Sequence, residues 1–273
     1  MPQVETRSGA IAYREQGSGP PVVLLPSGAH TMRDFDPIAP ALAGYRTIAI
    51  DWPGHGASGP PADGAASPTG FADAAEDVVA ELAPEGAVVL GNSVGGFSAA
   101  RMAIRRPELV RALVLVDTGG FLPRSLQVRA FCAVMGRPAL LRRIYPQFAT
   151  RYMRAQRAED RHILEATLAD MRDPTLVQTV ASLWRGFAGP EHDLRADIGR
   201  ITAPTLVVWG TKDPVIPVKV GREIAAQLPD ARMLEFPTGH VPFASAPEAF
   251  GTALRGFLTE VLAEAPARDA VSL

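Results

Sequence analysis

The sequence predicts an α/β protein, a mostly parallel sheet with helices on both faces, interrupted once by a helical block. Three observations carry this. Short runs of Val, Ile, Leu and Ala, four or five residues long and without polar alternation, recur along the chain. Strands covered by helices on both faces of a parallel sheet read this way. Helix-like segments lie between the runs, and strand–helix alternation implies right-handed crossovers. The alternation stops after Asp117-Thr118-Gly119-Gly120 and resumes near Thr205.

In chain order, segments 4–6 and 11–13 form an opening hairpin around Ser8-Gly9. Buried strands follow at 22–25, 47–50, 87–90 and 112–116, with helices over about 34–43, 71–83 and 94–106. The last helix turns Ala99, Met102, Ala103 and Ile104 toward the sheet. It carries Arg105-Arg106 at its C-terminal end, where the helix dipole favours cations, and Pro107 stops it. From 121 to 199 there is no strand signal, only helical stretches punctuated by Pro138, Pro146, Pro174 and Pro190. Strands return at 205–209 and 232–236, followed by helices at about 218–228 and 247–263. The expected division is a core of residues 1–120 and 200–265, a helical cap at 121–199, and a flexible tail at 266–273.

With 21 % charged and 47 % hydrophobic residues, the 273-residue chain is neither a disordered polymer nor a simple coiled coil. A formal charge of −2 gives no whole-molecule attraction to nucleic acid. Cys132 is the single cysteine, so no internal disulfide is expected, and no Cys/His pairs have structural zinc spacing. The N-terminal residues lack the basic-then-apolar run of a signal peptide, and no window reaches the ~18 apolar residues of a membrane span. A soluble, cytoplasmic protein with neither membrane nor nucleic-acid partner is expected; the sequence assigns no oligomeric state.

The near-neutral total averages two unlike parts. Residues 121–199 hold 12 arginines against 8 acidic residues, and the rest holds 15 basic against 21 acidic. Solvated helix faces account for this, or else a basic lid that draws in anionic substrates.

The strongest local signal is Leu90-Gly91-Asn92-Ser93-Val94-Gly95-Gly96. A buried strand ends and a helix begins within three residues, which holds a serine in a strained conformation with its hydroxyl above the sheet. Gly91 and Gly95 leave room where strand and helix meet. The helix N-terminus directs free N–H groups at the site, suiting a developing oxyanion. Serine needs a base held by an acid. On such a sheet the partners follow in the order acid, then histidine, at the ends of later strands. Asp213, in Trp209-Gly210-Thr211-Lys212-Asp213-Pro214, and His240, in Phe236-Pro237-Thr238-Gly239-His240, meet that requirement, with Asp117 as the rival acid. Oxyanion donors are expected from the amides of Val94 and of Ala29, in the loop Pro26-Ser27-Gly28-Ala29-His30. His55 is read as a support for its loop, and His162 and His192 as surface residues of the helical block.

Together the elbow at Gly91-Asn92-Ser93-Val94-Gly95, the Ser27-Gly28-Ala29 loop, the D-x-x-G-x-G-x-S turn from Asp51 to Ser58, Asp213 and His240 resemble the α/β-hydrolase fold superfamily, over about residues 4–262. The resemblance implies an eight-stranded, mostly parallel sheet with a helical cap inserted after the sixth strand. It implies hydrolysis through an acyl-enzyme, with no metal or organic cofactor. Ser93 sets the chain apart from dehalogenases and epoxide hydrolases, which carry aspartate there. Asn92 is similar to the meta-cleavage-product hydrolases, which cut C–C bonds of vinylogous diketones. Val241 stands where those enzymes have tryptophan, and Arg185 beside Trp184 is the counterpart of their cap arginine. Substrate contacts are expected from Gly28, His30, Asn92, Trp184, Arg185 and Val241. Pocket-facing cap residues are expected among Phe121, Leu122, Phe131, Met135, Tyr145, Tyr152, Leu183, Trp184 and Phe187. A small hydrophobic carboxylic ester is the first substrate expectation. A C–C hydrolase, a cofactor-free perhydrolase and a catalytically weak ligand-binding receptor are the alternatives.

Overall fold

A computed structural model describes residues 1–263. The tail expected at 266–273 and the last two residues of the expected core lie outside the described residues. Eight strands form one sheet: β1 Gln3–Thr6, β2 Gly9–Gln16, β3 Pro21–Leu25, β4 Arg46–Ile50, β5 Ala87–Asn92, β6 Val110–Val116, β7 Thr205–Gly210 and β8 Ala231–Phe236. Their order is β1-β2-β4-β3-β5-β6-β7-β8. The opening hairpin joins antiparallel, and every pairing from β4 through β8 is parallel.

The helices are α1 Pro68–Leu82, α2 Val94–Arg105, α3 Leu126–Met135, α4 Pro138–Met153, α5 Ala158–Asp170, α6 Pro174–Gly186, α7 Val218–Gln227, α8 Pro242–Ser245 and α9 Pro247–Ala263. Because side chains alternate along a strand, Val23 and Leu25 face one side of the sheet and Val22 and Leu24 the other. The first side packs against Phe71 and Val78 of α1, Phe97 and Met102 of α2, and Ile224 of α7. The second packs against Phe35 and Ile38, and against Phe250 and Leu254 of α9. The helix expected at 34–43 is instead a 3₁₀ segment, Met32–Leu42, containing Pro37 and Pro40. Those prolines remove the amide donors an α-helix needs there.

Four helices, α3 to α6, lie between β6 and β7. Pro138 and Pro174 open α4 and α6, where a missing amide costs nothing, whereas Pro146 lies within α4. Parallel strands end at a common edge, so the segments after β3, β5, β6, β7 and β8 gather there. Those segments carry the loop at 26–30, Ser93, Asp117, Asp213 and His240.

Candidate active site

β5 ends at Asn92 and α2 begins at Val94, leaving Ser93 as the corner with φ 58° and ψ −113°. Its amide donates to the Val116 carbonyl at 3.0 Å, and its carbonyl accepts from the amides of Gly119 at 2.9 Å and Phe97 at 3.0 Å. Three bonds therefore hold a non-glycine residue at positive φ. A β-carbon on Gly91 would lie 2.2 Å from the Gly95 carbonyl oxygen, and one on Gly95 would lie 2.1 Å from that of Leu25. Val94 is the first residue of α2, so its amide has no partner within the helix.

Asp213 and His240 meet at this edge. Nδ1 of His240 donates to Oδ2 of Asp213 at 2.7 Å, and the Val215 amide donates to Oδ1 at 2.7 Å. Both side chains are buried. Asp117, the rival acid, is fully buried with φ 42° and accepts the Gly210 amide at 3.0 Å. Burial and the neighbouring Asp213 charge push its carboxyl well above the usual carboxylate range, and it hydrogen-bonds Asp213. Asp117 therefore stands behind Asp213 as a carboxyl whose protonated form burial favours. Asp117, Asp213 and His240 also offer three metal-ligating atoms within 4.8 Å of one another. Nδ1 of His240 and Oδ2 of Asp213 are already bonded to each other.

Two cavities meet at Ser93. A narrow one of about 40 Å³ is lined by Ser27, Gly28, Ser93, Val94, Tyr145, Tyr152 and His240, among others. A wide one of about 450 Å³ has walls including Leu122, Phe131, Trp184 and Phe187, with Arg124, Arg151 and His192 among its polar residues. Of the expected contacts, Gly28 lines the narrow cavity and Trp184 lines both.

The structure gives the other expected contacts different partners. Nδ2 of Asn92 donates to the carbonyls of Val116 and His240, both at 3.0 Å, clipping the serine strand to the histidine loop. The Arg185 guanidinium turns to the Gly136 carbonyl at 2.5 Å. Val241 is fully buried at the start of α8. His30, also fully buried, hydrogen-bonds Asp34 and, at 2.5 Å, the Tyr152 hydroxyl. The Ala29 amide donates to Nε2 of His55 at 3.3 Å, while Nδ1 of His55 bonds the Pro53 carbonyl at 3.2 Å. Burial lowers the His55 pKa to about 4, so at neutral pH it is an uncharged support for the loop. Phe121 and Met135 are core residues, whereas the other expected pocket-facing side chains line one cavity or the other.

His162 is exposed as expected, but His192 is not. The Pro190–His192 turn tucks its ring against Phe97 and Phe187, at centroid distances of 5.6 and 5.8 Å. Nδ1 of the ring lies 3.5 Å from a Glu191 carboxylate oxygen, and burial lowers the His192 pKa. Asp34 and its link to the tyrosines lie outside the motifs recognised in the sequence. The signal was present in the i, i+4 spacing of His30 and Asp34.

The model of the α/β-hydrolase fold family matches residues 20–247. This chain belongs to that family. It is an α/β-fold hydrolase, with esterases and C–C hydrolases among its relatives. The pimeloyl-[acyl-carrier protein] methyl ester esterase of Chromobacterium violaceum is 32 % identical over 253 residues, covering 87 % of this chain and 94 % of that one. The 2-hydroxy-6-oxononadienedioate/2-hydroxy-6-oxononatrienedioate hydrolase of Cupriavidus pinatubonensis is also 32 % identical, over 80 % of this chain and 75 % of that one. A solved hydrolase from Pseudomonas aeruginosa PA01 superposes with a TM-score of 0.79 at 26 % identity, covering 94 % of this hydrolase and 97 % of that one. No helix among the described residues is long and apolar enough to cross a membrane.

Proposed function

We propose that this α/β-hydrolase cleaves carboxylic esters through an acyl-enzyme, with Ser93 as nucleophile, His240 as base and Asp213 as the orienting carboxylate. One observation carries the reading: Ser93, strained at the elbow, shares a cavity with His240, whose far nitrogen is fixed by buried Asp213. His240 takes the Ser93 proton through Nε2 as Oγ attacks the carbonyl, and Asp213 stabilises the imidazolium. The oxyanion forms against the Val94 amide. The second donor belongs to the loop after β3. Gly28 of that loop lines the narrow cavity beside Ser93, whereas the Ala29 amide is held by the lone pair of neutral His55. His240 then protonates the leaving alcohol, and water hydrolyses the acyl-enzyme with the same base.

An activity-based fluorophosphonate labels Ser93 in the wild type and leaves Ser93→Ala unlabelled; equal labelling of both defeats the assignment. The C–C hydrolase reading draws support from the Cupriavidus relative. Assaying p-nitrophenyl esters beside a coloured dienone diketone separates the two chemistries.

The wide cavity has the size and apolar walls for an acyl chain. Arg124 and Arg151 on its lining favour a chain that ends in an anion. The expected signature is a kcat/KM that falls several-fold between 50 and 500 mM salt for a carboxylate-bearing half-ester and stays flat for its neutral counterpart. Equal salt dependence of the two sinks the basic-lid reading and leaves the arginines as solvated helix faces.

A further inference from the structure

Beside the Asp213–His240 pair stands a second aspartate–histidine pair. Nδ1 of His30 donates to the Asp34 carboxylate, and Nε2 of His30 shares a 2.5 Å hydrogen bond with the Tyr152 hydroxyl. The Tyr152 hydroxyl in turn lies 3.1 Å from that of Tyr145. All four side chains are buried, and both tyrosines line the narrow cavity at Ser93. The chain joins the core to the inserted helix α4, and it also reaches the reacting groups. The Tyr152 ring meets that of His240 edge-on at 5.6 Å, and its carbonyl accepts the His240 amide at 2.8 Å.

A buried chain of hydrogen-bonded side chains holds its members rigidly, and the spare capacity of its last member is fixed in direction for a ligand. The Tyr145 hydroxyl has Tyr152 as its one hydrogen-bond partner among the described residues. Whichever way the protons run along the chain, that oxygen keeps unused capacity, as donor in one direction and acceptor in the other. A ligand hydroxyl satisfies either. Burial pushes both phenols above their ordinary pKa, so the chain ends in a neutral O–H.

Size and position say which part of the substrate lies here. The narrow cavity, about 40 Å³, offers roughly three water-sized positions at ~10–15 Å³ each, room for two or three atoms. His240 lines it and does not line the wide cavity. The leaving oxygen must receive its proton from His240, so the alcohol departs on this side and the acyl chain extends into the wide one.

We propose that Tyr145 and Tyr152, held by His30 and Asp34, form a polar subsite that takes the free hydroxyl of a short, hydroxylated leaving alcohol. This rests on the ester-hydrolase reading above. The test compares 2-hydroxyethyl hexanoate with n-propyl hexanoate, which match in heavy-atom count and differ by one hydroxyl. The wild type is expected to favour the hydroxyethyl ester by about tenfold or more in kcat/KM, and Tyr145→Phe to bring that ratio close to one. A wild-type ratio near one overturns the subsite, as does a ratio that persists in Tyr145→Phe; either result reduces the chain to a brace between core and α4. If neither ester is cleaved and Ser93 fails to take a fluorophosphonate, the hydrolase reading itself falls and the subsite with it.

Discussion

Ser93→Gly is expected to raise the melting temperature of this protein while abolishing its hydrolysis. Ser93 sits at φ 58° and ψ −113°, a conformation that costs an L-residue about 1–3 kcal/mol and a glycine almost nothing. Glycine gives back roughly 0.5–1 kcal/mol through its freer unfolded chain, leaving a net gain of about 1 kcal/mol, or ~2–4 °C. Ser93→Ala keeps the β-carbon and therefore the strain, so its melting temperature stays with the wild type. Both variants remove the proposed nucleophile, with an expected loss on the order of 10⁶-fold in kcat. Calorimetry beside turnover of p-nitrophenyl butyrate separates the effects. A glycine variant that melts lower than the alanine variant shows an elbow without stored strain. Retained turnover in either variant removes Ser93 from the mechanism.

The two buried carboxyls behind His240 are expected to answer oppositely to the same substitution. Asp213→Asn presents an amide where the imidazole N–H needs an anion, and kcat falls by about 10⁴-fold. Asp117→Asn keeps activity within roughly tenfold, because an amide takes the place of a carboxyl whose protonated form burial favours. Its NH₂ still donates toward Asp213 and its oxygen still accepts the Gly210 amide.

Stability provides a second readout of Asp117. The folded-state pKa is raised by burial and by Asp213, so the contribution of Asp117 is fully present below the ordinary carboxylate range. It is lost as pH rises from there through the raised value. The stability of Asp117→Asn relative to wild type should therefore increase between pH 4 and pH 8 in urea titrations. If Asp117→Asn is the inactive variant and Asp213→Asn the active one, the assignment of the acid is reversed.

The parts of the fold and site that can be read from the chain are those whose physics is local. Runs such as Val22-Val23-Leu24-Leu25 announce a strand buried on both faces, and Gly91 to Gly95 announces a corner with no room for side chains. Asp213 and His240 follow because strand order assigns them to the same edge. Legibility fails where the deciding contact is remote. His30 and Tyr152 are 122 residues apart, and nothing beside either one indicates the other. His192 reads as a polar residue after a proline turn, yet that turn folds it onto Phe97. Arg185 has the right neighbour for a pocket residue, but Gly136 offers its guanidinium a carbonyl first. The 3₁₀ segment at Met32–Leu42 has helical periodicity and two prolines, and the backbone chemistry prevails over the pattern.

The bond from the His240 amide to the Tyr152 carbonyl has a consequence for how new specificities arise. A β-carbon on Gly239 would lie 2.1 Å from that carbonyl oxygen, so the C-terminal end of α4 and the histidine loop are in backbone contact. Lifting α4 would take the histidine with it. Among the described residues helix α3 carries no such tether: Leu126 is 80 % exposed, and Phe131 and Val134 are each 39 % exposed. Its inner side, through Gln127, Val128, Phe131 and Cys132, lines the wide cavity. The inserted segment thus divides into a fixed half, which any functional variant inherits, and a replaceable half. Randomising α3 is the mutational library that can exchange one acyl chain for another without resetting the chemistry.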